Sequence, residues 1–140
     1  MSELMKLRED HAALARMFVE LGAMISQPSP PPQLDLFDLR RKLVSTLLAH
    51  LKLEDWALYP QLIESGDPAL SDAGRRFKEE MGGLAPAFLA HCDRWNASTI
   101  PADWAGYCTA TRAILDALTN RLTRENRDLL PLLERVDKAA

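Results

Sequence analysis

Apolar side chains recur at steps of three and four along four long stretches of the chain, the period of a helix with one buried face. The first runs from about Ser2, an expected N-cap, to about Ile25, with the stripe Leu4, Leu7, His11, Leu14, Phe18, Leu21 and Ile25. The second runs from about Leu34 to Ile63. Asp35 or Asp38 complements its N-terminus, and Pro60 is expected to kink or tighten its last turns. The third, from about Ser71 to Trp95, carries Phe77, Met81, Leu84, Phe88, His91, Cys92 and Trp95. Gly82, Gly83 and Pro86 inside it predict a weakened or bent helix. The fourth runs from about Ala102 to Val136, with Tyr107, Cys108, Thr111, Ile114, Leu115, Leu118, Arg121, Glu125, Leu129 and Leu132 on one face. Residues 27–33 are proline-rich, 65–68 place a glycine before a proline, and 96–103 include Pro101, so all three read as connectors. Nothing has the alternation of a strand. The pattern predicts an all-α fold, an antiparallel up-down-up-down four-helix bundle, with residues 1–140 as a single domain.

Polar residues on these inward stripes raise the chemical question. His50 and Glu54 lie one turn apart on the face that carries Leu43, Leu47, Ala57 and Leu58. An imidazole and a carboxylate buried alone cost roughly several kcal/mol, so they must be paired, hydrogen-bonded or bound to a metal. His11 sits on the first stripe, and Arg121 and Glu125 on the fourth.

Composition narrows the partners. The chain is 47% apolar and 26% charged, the balance of a globular protein. Its net charge of −3 and scattered basic residues argue against a nucleic-acid surface. No apolar run approaches the ~20 residues that cross a bilayer, and the opening MSELMKLRED is too charged for a signal peptide. The cytoplasm is the expected location. Cys92 and Cys108 lack metal-like spacing and read as free thiols, with a redox pair as the alternative.

The chain also repeats itself. One constant offset lays Glu125 on Glu54, Pro131 on Pro60, and Leu118, Leu122, Leu129 and Leu133 on Leu47, Leu51, Leu58 and Leu62. A nearly equal offset lays Phe77, Glu80, Leu84 and Phe88 on Leu7, Asp10, Leu14 and Phe18. Two helix pairs related by an approximate two-fold follow. One pair presents His11, His50 and Glu54; the other presents Met81, Arg121 and Glu125.

Leu7-Arg8-Glu9-Asp10-His11, His50-Leu51-Lys52-Leu53-Glu54 with Leu58-Tyr59-Pro60, Phe77-Lys78-Glu79-Glu80, Glu125-Asn126 and Leu130-Pro131 occur in that order. Together they resemble the hemerythrin-like, HHE cation-binding family over nearly the whole chain. In that family each of four helices supplies a histidine, two carboxylates bridge, and the bundle core holds two irons. Members bind or sense oxygen, nitric oxide or iron. The resemblance implies His11 and His50 as ligands of the first iron and Glu54 and Glu125 as the bridging carboxylates. The chain departs from the family at Met81 and Arg121, where the third- and fourth-helix histidines belong. A two-iron oxygen carrier is therefore not expected.

An arginine cannot ligate a metal, but its planar fork can bridge two carboxylates. Arg121 is expected to reach Glu54 and Glu125 and to replace the second metal's charge, against the alternative that it runs out to water. Glu54, Glu125 and Arg121 together carry a net charge of −1. Two readings stay open. In one, His11, His50, Glu54 and Glu125 hold at most one iron-type ion, Fe(II), Mn(II) or Zn(II), with an open position for a diatomic gas. In the other, the bundle is metal-free and acts as a scaffold through a protein partner. No Lys, Tyr or Cys is expected beside the site, and no Glu-x-x-His motif of a diiron oxidase is present, so an enzyme is the lesser expectation. Met81 reads as core, and His91, about 15 Å along the helix from it, as a satisfied core or boundary histidine. Trp56 and Tyr59 are given no chemistry.

Overall fold

The periodicity puts helices along nearly the whole chain, and a computed structural model, describing the backbone of residues 2–139 and the side chains of 3–135, has them there. Helix α1 spans Ser2–Met24, α2 Gln33–Leu53, α3 Tyr59–Ile63, α4 Pro68–Met81, α5 Leu84–Arg94, α6 Thr99–Ala102, α7 Trp104–Arg124 and α8 Leu130–Ala139. Wider π-type turns, Glu54–Leu58 and Glu125–Leu129, join α2 to α3 and α7 to α8. No strand occurs among the described residues. α1 packs on α2 and α7, α5 packs on the same two, and α3 packs on α4. The result is an all-helical bundle. None of its described helices is long and apolar enough to cross a membrane.

Three boundaries differ from the sequence expectation, each for a local reason. The third stretch starts at Pro68, not Ser71, because Asp67 accepts hydrogen bonds from the Ala69 and Leu70 amides and proline suits the first helical position. It then breaks at Gly82-Gly83, dividing α4 from α5 where the glycines predicted weakness. The fourth stretch begins at Trp104, where Asp103 caps the Gly106 amide, and Pro101 falls in the separate turn α6. The expected Ser2 cap involves a side chain outside those described.

Pro60 is expected from the sequence to kink or tighten the last turns; the turn before it is widened, not tightened. A proline lacks an N–H and its ring crowds the carbonyl four residues back. An extra residue in the turn relieves the crowding, and the Tyr59 amide bonds the carbonyl of Glu54, five residues behind it. The repeat does the same before Pro131, where the Leu130 amide bonds the Glu125 carbonyl. Residues five apart, out of phase on a regular helix, therefore share the inward face. Glu54 and Tyr59 are both fully buried, as are Glu125 and Leu130.

Two hydrophobic clusters flank the polar layer. One is built on Leu14, Phe18, Leu47, Leu51, Leu118 and Leu122. The other holds Tyr59, Leu62, Phe77, Met81 and Leu129. His11, His50, Glu54, Arg121 and Glu125 fall between them along their helices, and every one is at most 3% exposed. α4 approaches α3 closely through Gly74, where a Cβ would lie 2.9 Å from Leu62 Cβ and 3.0 Å from the Tyr59 carbonyl. Gly74→Ala is accordingly expected to cost about 1–3 kcal/mol by forcing these elements apart. Urea denaturation of the variant against the wild type measures it.

Candidate metal centre

The centre is assembled from three long elements. His11 comes from α1, His50 from the last turn of α2, and Glu54 and Glu125 open the two wide turns. The structure brings together all four residues singled out from the sequence, with one ligand atom from each lying within 4.8 Å of the others. His50 Nε2 is 3.1 Å from Glu54 Oε1, and His11 Nε2 is 3.2 Å from Glu125 Oε1 and 3.6 Å from Glu54 Oε2. The two rings meet edge to face with centroids 4.9 Å apart.

Both imidazoles are oriented from behind. His50 Nδ1 faces Asp10 Oδ2 at 3.2 Å, and His11 Nδ1 faces Asn126 Oδ1 at 2.6 Å. With Nδ1–H donating to these oxygens, each ring turns a bare Nε2 toward the carboxylates, the arrangement that fixes metal-binding histidines. Asp10 in turn accepts from Lys6 at 2.7 Å. Neither Asp10 nor Asn126 was picked as a site residue from the sequence. The only available signal was Asp10 one position before His11 and Asn126 one after Glu125.

The opposite side is closed by Arg121 and Tyr59. Arg121 points inward and is 1% exposed, as expected, but it grips Asp55 as well as Glu54. Its Nη2 donates to Glu54 Oε1 at 3.0 Å and to Asp55 Oδ1 at 2.9 Å. Its Nη1 donates to the Met81 carbonyl at 3.1 Å, and its Nε lies 3.5 Å from Glu125 Oε2. The two positions that depart from the family pattern thus touch each other. Met81 itself is core, as read. The Tyr59 hydroxyl donates a short hydrogen bond to Glu125 Oε2, and its ring lies under the guanidinium with 5.4 Å to the centroid. This corrects the expectation that no tyrosine lies beside the site: the wide turn swings Tyr59 inward. His91 is elsewhere, bonded to Thr111 Oγ1 at 2.9 Å, and both cysteines are free.

Electrostatics follow from these contacts. Burial works against a charged His11, but Glu125, Glu54 and Asn126 outweigh it and raise its pKa to about 10. His50 is raised in the same way by Glu54 against burial. Burial also opposes ionisation of Glu54, yet His11, His50 and Arg121 hold it well below the usual carboxylate range. Glu125 is pushed up, by burial first and then by Glu54 beside it. Burial drives the Tyr59 phenol far up, so it stays protonated and donates. The cluster therefore demands positive charge, which protons or a cation can supply.

The atoms that would receive either are the inner ones. His11 Nε2, His50 Nε2, Glu54 Oε2 and Glu125 Oε1 are buried without a hydrogen-bond partner. They converge at the centre of the cluster, where His11 Nε2 faces Glu125 Oε1 and Glu54 Oε2, and His50 Nε2 faces Glu54 Oε1, the oxygen that Arg121 also holds. A buried polar group left unpaired costs about 1–3 kcal/mol, so four at one point mark a place built for something that accepts lone pairs. Two imidazole nitrogens and two carboxylate oxygens can hold a divalent metal ion.

Comparison with curated proteins and with solved structures returned no match. A family model described as Hemerythrin HHE cation binding domain matches residues 4–133. With its buried histidine–carboxylate cluster on a helical bundle, this chain belongs to the hemerythrin HHE cation-binding domain family.

Proposed function

We propose that residues 1–140 form a single domain, an antiparallel up-down-up-down four-helix bundle, whose core holds one divalent ion, an iron. His11 Nε2, His50 Nε2, Glu54 and Glu125 are its ligands. The observation that carries this reading is the convergence of four partnerless buried donor atoms, with the far nitrogen of each ring held in place. Charge supports it too. With Glu54, Asp55 and Glu125 ionised against the Arg121 guanidinium, two negative charges are left, which one divalent ion would neutralise in place of the protons that the imidazoles otherwise hold. Arg121 limits the centre to one ion by filling the space beside both glutamates with a fixed cation. Each glutamate then keeps one oxygen on the Arg121 and Tyr59 side and offers the other to the ion.

Bound there, the ion supplies Lewis acidity and a coordination position for a small neutral ligand such as dioxygen or nitric oxide. The protein's own groups hold and shield that ion. The domain is a small-ligand binder or sensor in this reading.

Metal content per chain tests it, on tag-free protein grown with iron and purified without chelators. One ion per chain is the expected result. Two per chain would mean that Arg121 does not exclude the second. None, with no thermal shift on adding Fe(II), Mn(II) or Zn(II), would leave the competing reading, a metal-free scaffold that works through a protein partner.

A further inference from the structure

A groove of about 530 Å³ runs along the surface between α1 and α7 and ends at His11 and Asn126. One wall carries Asp116, Thr119 and Thr123 on one face of α7 and Asn126 in the wide turn that follows, oxygen-bearing side chains at steps of three and four. They span about 15 Å of helix. Ala15 keeps the facing wall on α1 low near His11. At the inner end His11 is 3% exposed, and its partnerless Nε2 faces Glu125 and Glu54. On its Nδ1 side one contact holds the ring, that to Asn126, which is itself an exposed residue. Of the four, only His11 lines this groove, and the apolar groove at Leu7, Leu53 and Leu58 touches none of them.

We propose that this groove is the route by which a hydrated divalent cation reaches the centre, with His11 as its door and Asn126 as the latch. The proposal rests on the reading that the centre holds such an ion. A divalent cation gives up its waters where other donor atoms replace them. The groove provides a carboxylate, two hydroxyls and an amide oxygen in sequence, ending beside an imidazole whose groove-facing nitrogen is held by the Asn126 contact and whose inner nitrogen lies against Glu125 and Glu54. The groove's guanidinium, Arg112 on α7, reaches across to Ser26 Oγ at 2.7 Å and the Gly22 carbonyl at 3.4 Å, so it spans the end of the groove away from His11, and a cation on this route enters between Asp116 and Asn126.

Stopped-flow uptake of Co(II), followed by its visible absorption, and its release to a chelator test the route. Ala15 is exposed one turn beyond His11, so Ala15→Trp fills the groove without entering the core. Uptake and release are both expected to slow about tenfold with affinity and stoichiometry unchanged, since an obstructed path raises one barrier from both sides. Asn126→Ala is expected to speed release by freeing the latch. Ser45→Trp, exposed on α2, should behave as wild type. Wild-type rates in Ala15→Trp would overturn the route while leaving the metal reading intact, and so would weaker affinity with unchanged release. A wild-type protein that takes up no Co(II) would overturn both.

Discussion

Arg121→Met is expected to lower the unfolding free energy by about 3–5 kcal/mol, the effect of breaking a buried ion pair from one side. Methionine keeps much of the length of the arginine stem but removes the charge. Glu54 and Asp55 then lose the guanidinium that sits 3.0 and 2.9 Å from them, and Glu125 loses a cation 3.5 Å away. The Met81 carbonyl loses its donor as well. Chemical denaturation with and without a divalent ion measures the loss. Added ion is expected to recover more stability in the variant than in the wild type, because a second cation now has a place. Arg121→His carries the same argument further, and more than one ion per chain is its expected outcome. Unchanged stability and unchanged metal content in both variants would remove the idea that Arg121 stands in for a second ion.

The second large effect is expected at His50. An ion present at about a hundred times its dissociation constant stabilises the folded chain by about 2.7 kcal/mol, or roughly 10 °C in Tm. His50→Ala removes a fully buried ligand nitrogen and leaves Asp10 Oδ2 without its imidazole, so this ion-dependent gain is expected to vanish. Comparing each variant with and without the ion separates the effect from the cavity that alanine leaves. His91→Ala is the internal control, since His91 bonds Thr111 away from the centre and its loss should leave the ion-dependent gain in place. Equal gains in wild type and His50→Ala would show that the ion binds somewhere else.

The order and inward faces of the helices were legible in the sequence because helical periodicity is local. A stripe such as Leu7, His11, Leu14, Phe18 needs only the 3.6-residue turn to be read, and these residues are buried. The repeat was equally legible, and it marked the two glutamates and two prolines around which both wide turns form. Arg121 stood out for the same reason, as a charge on an apolar stripe.

Tyr59 was missed because the period itself changes there. On a regular helix, Ala57 and Leu58 share the face of His50 and Glu54. The π turn rotates Tyr59 into that place instead and leaves Ala57 and Leu58 only half-buried. Asp10 and Asn126 were missed for a different reason. Each is an ordinary polar residue beside a stripe until another helix brings an imidazole to it, Asp10 from α1 to His50 on α2, and Asn126 from the turn before α8 to His11 on α1.

The sequence by itself determined the helices, their buried faces and the residues able to carry the chemistry, since these depend on spacing along one chain. Only the tertiary structure decided which atoms meet. It turned each Nε2 inward by holding Nδ1 from a neighbouring helix and gave Arg121 a third carboxylate in Asp55. It also brought a ligand atom from each of His11, His50, Glu54 and Glu125 within 4.8 Å of the others, a property of the packed helices that no single segment possesses.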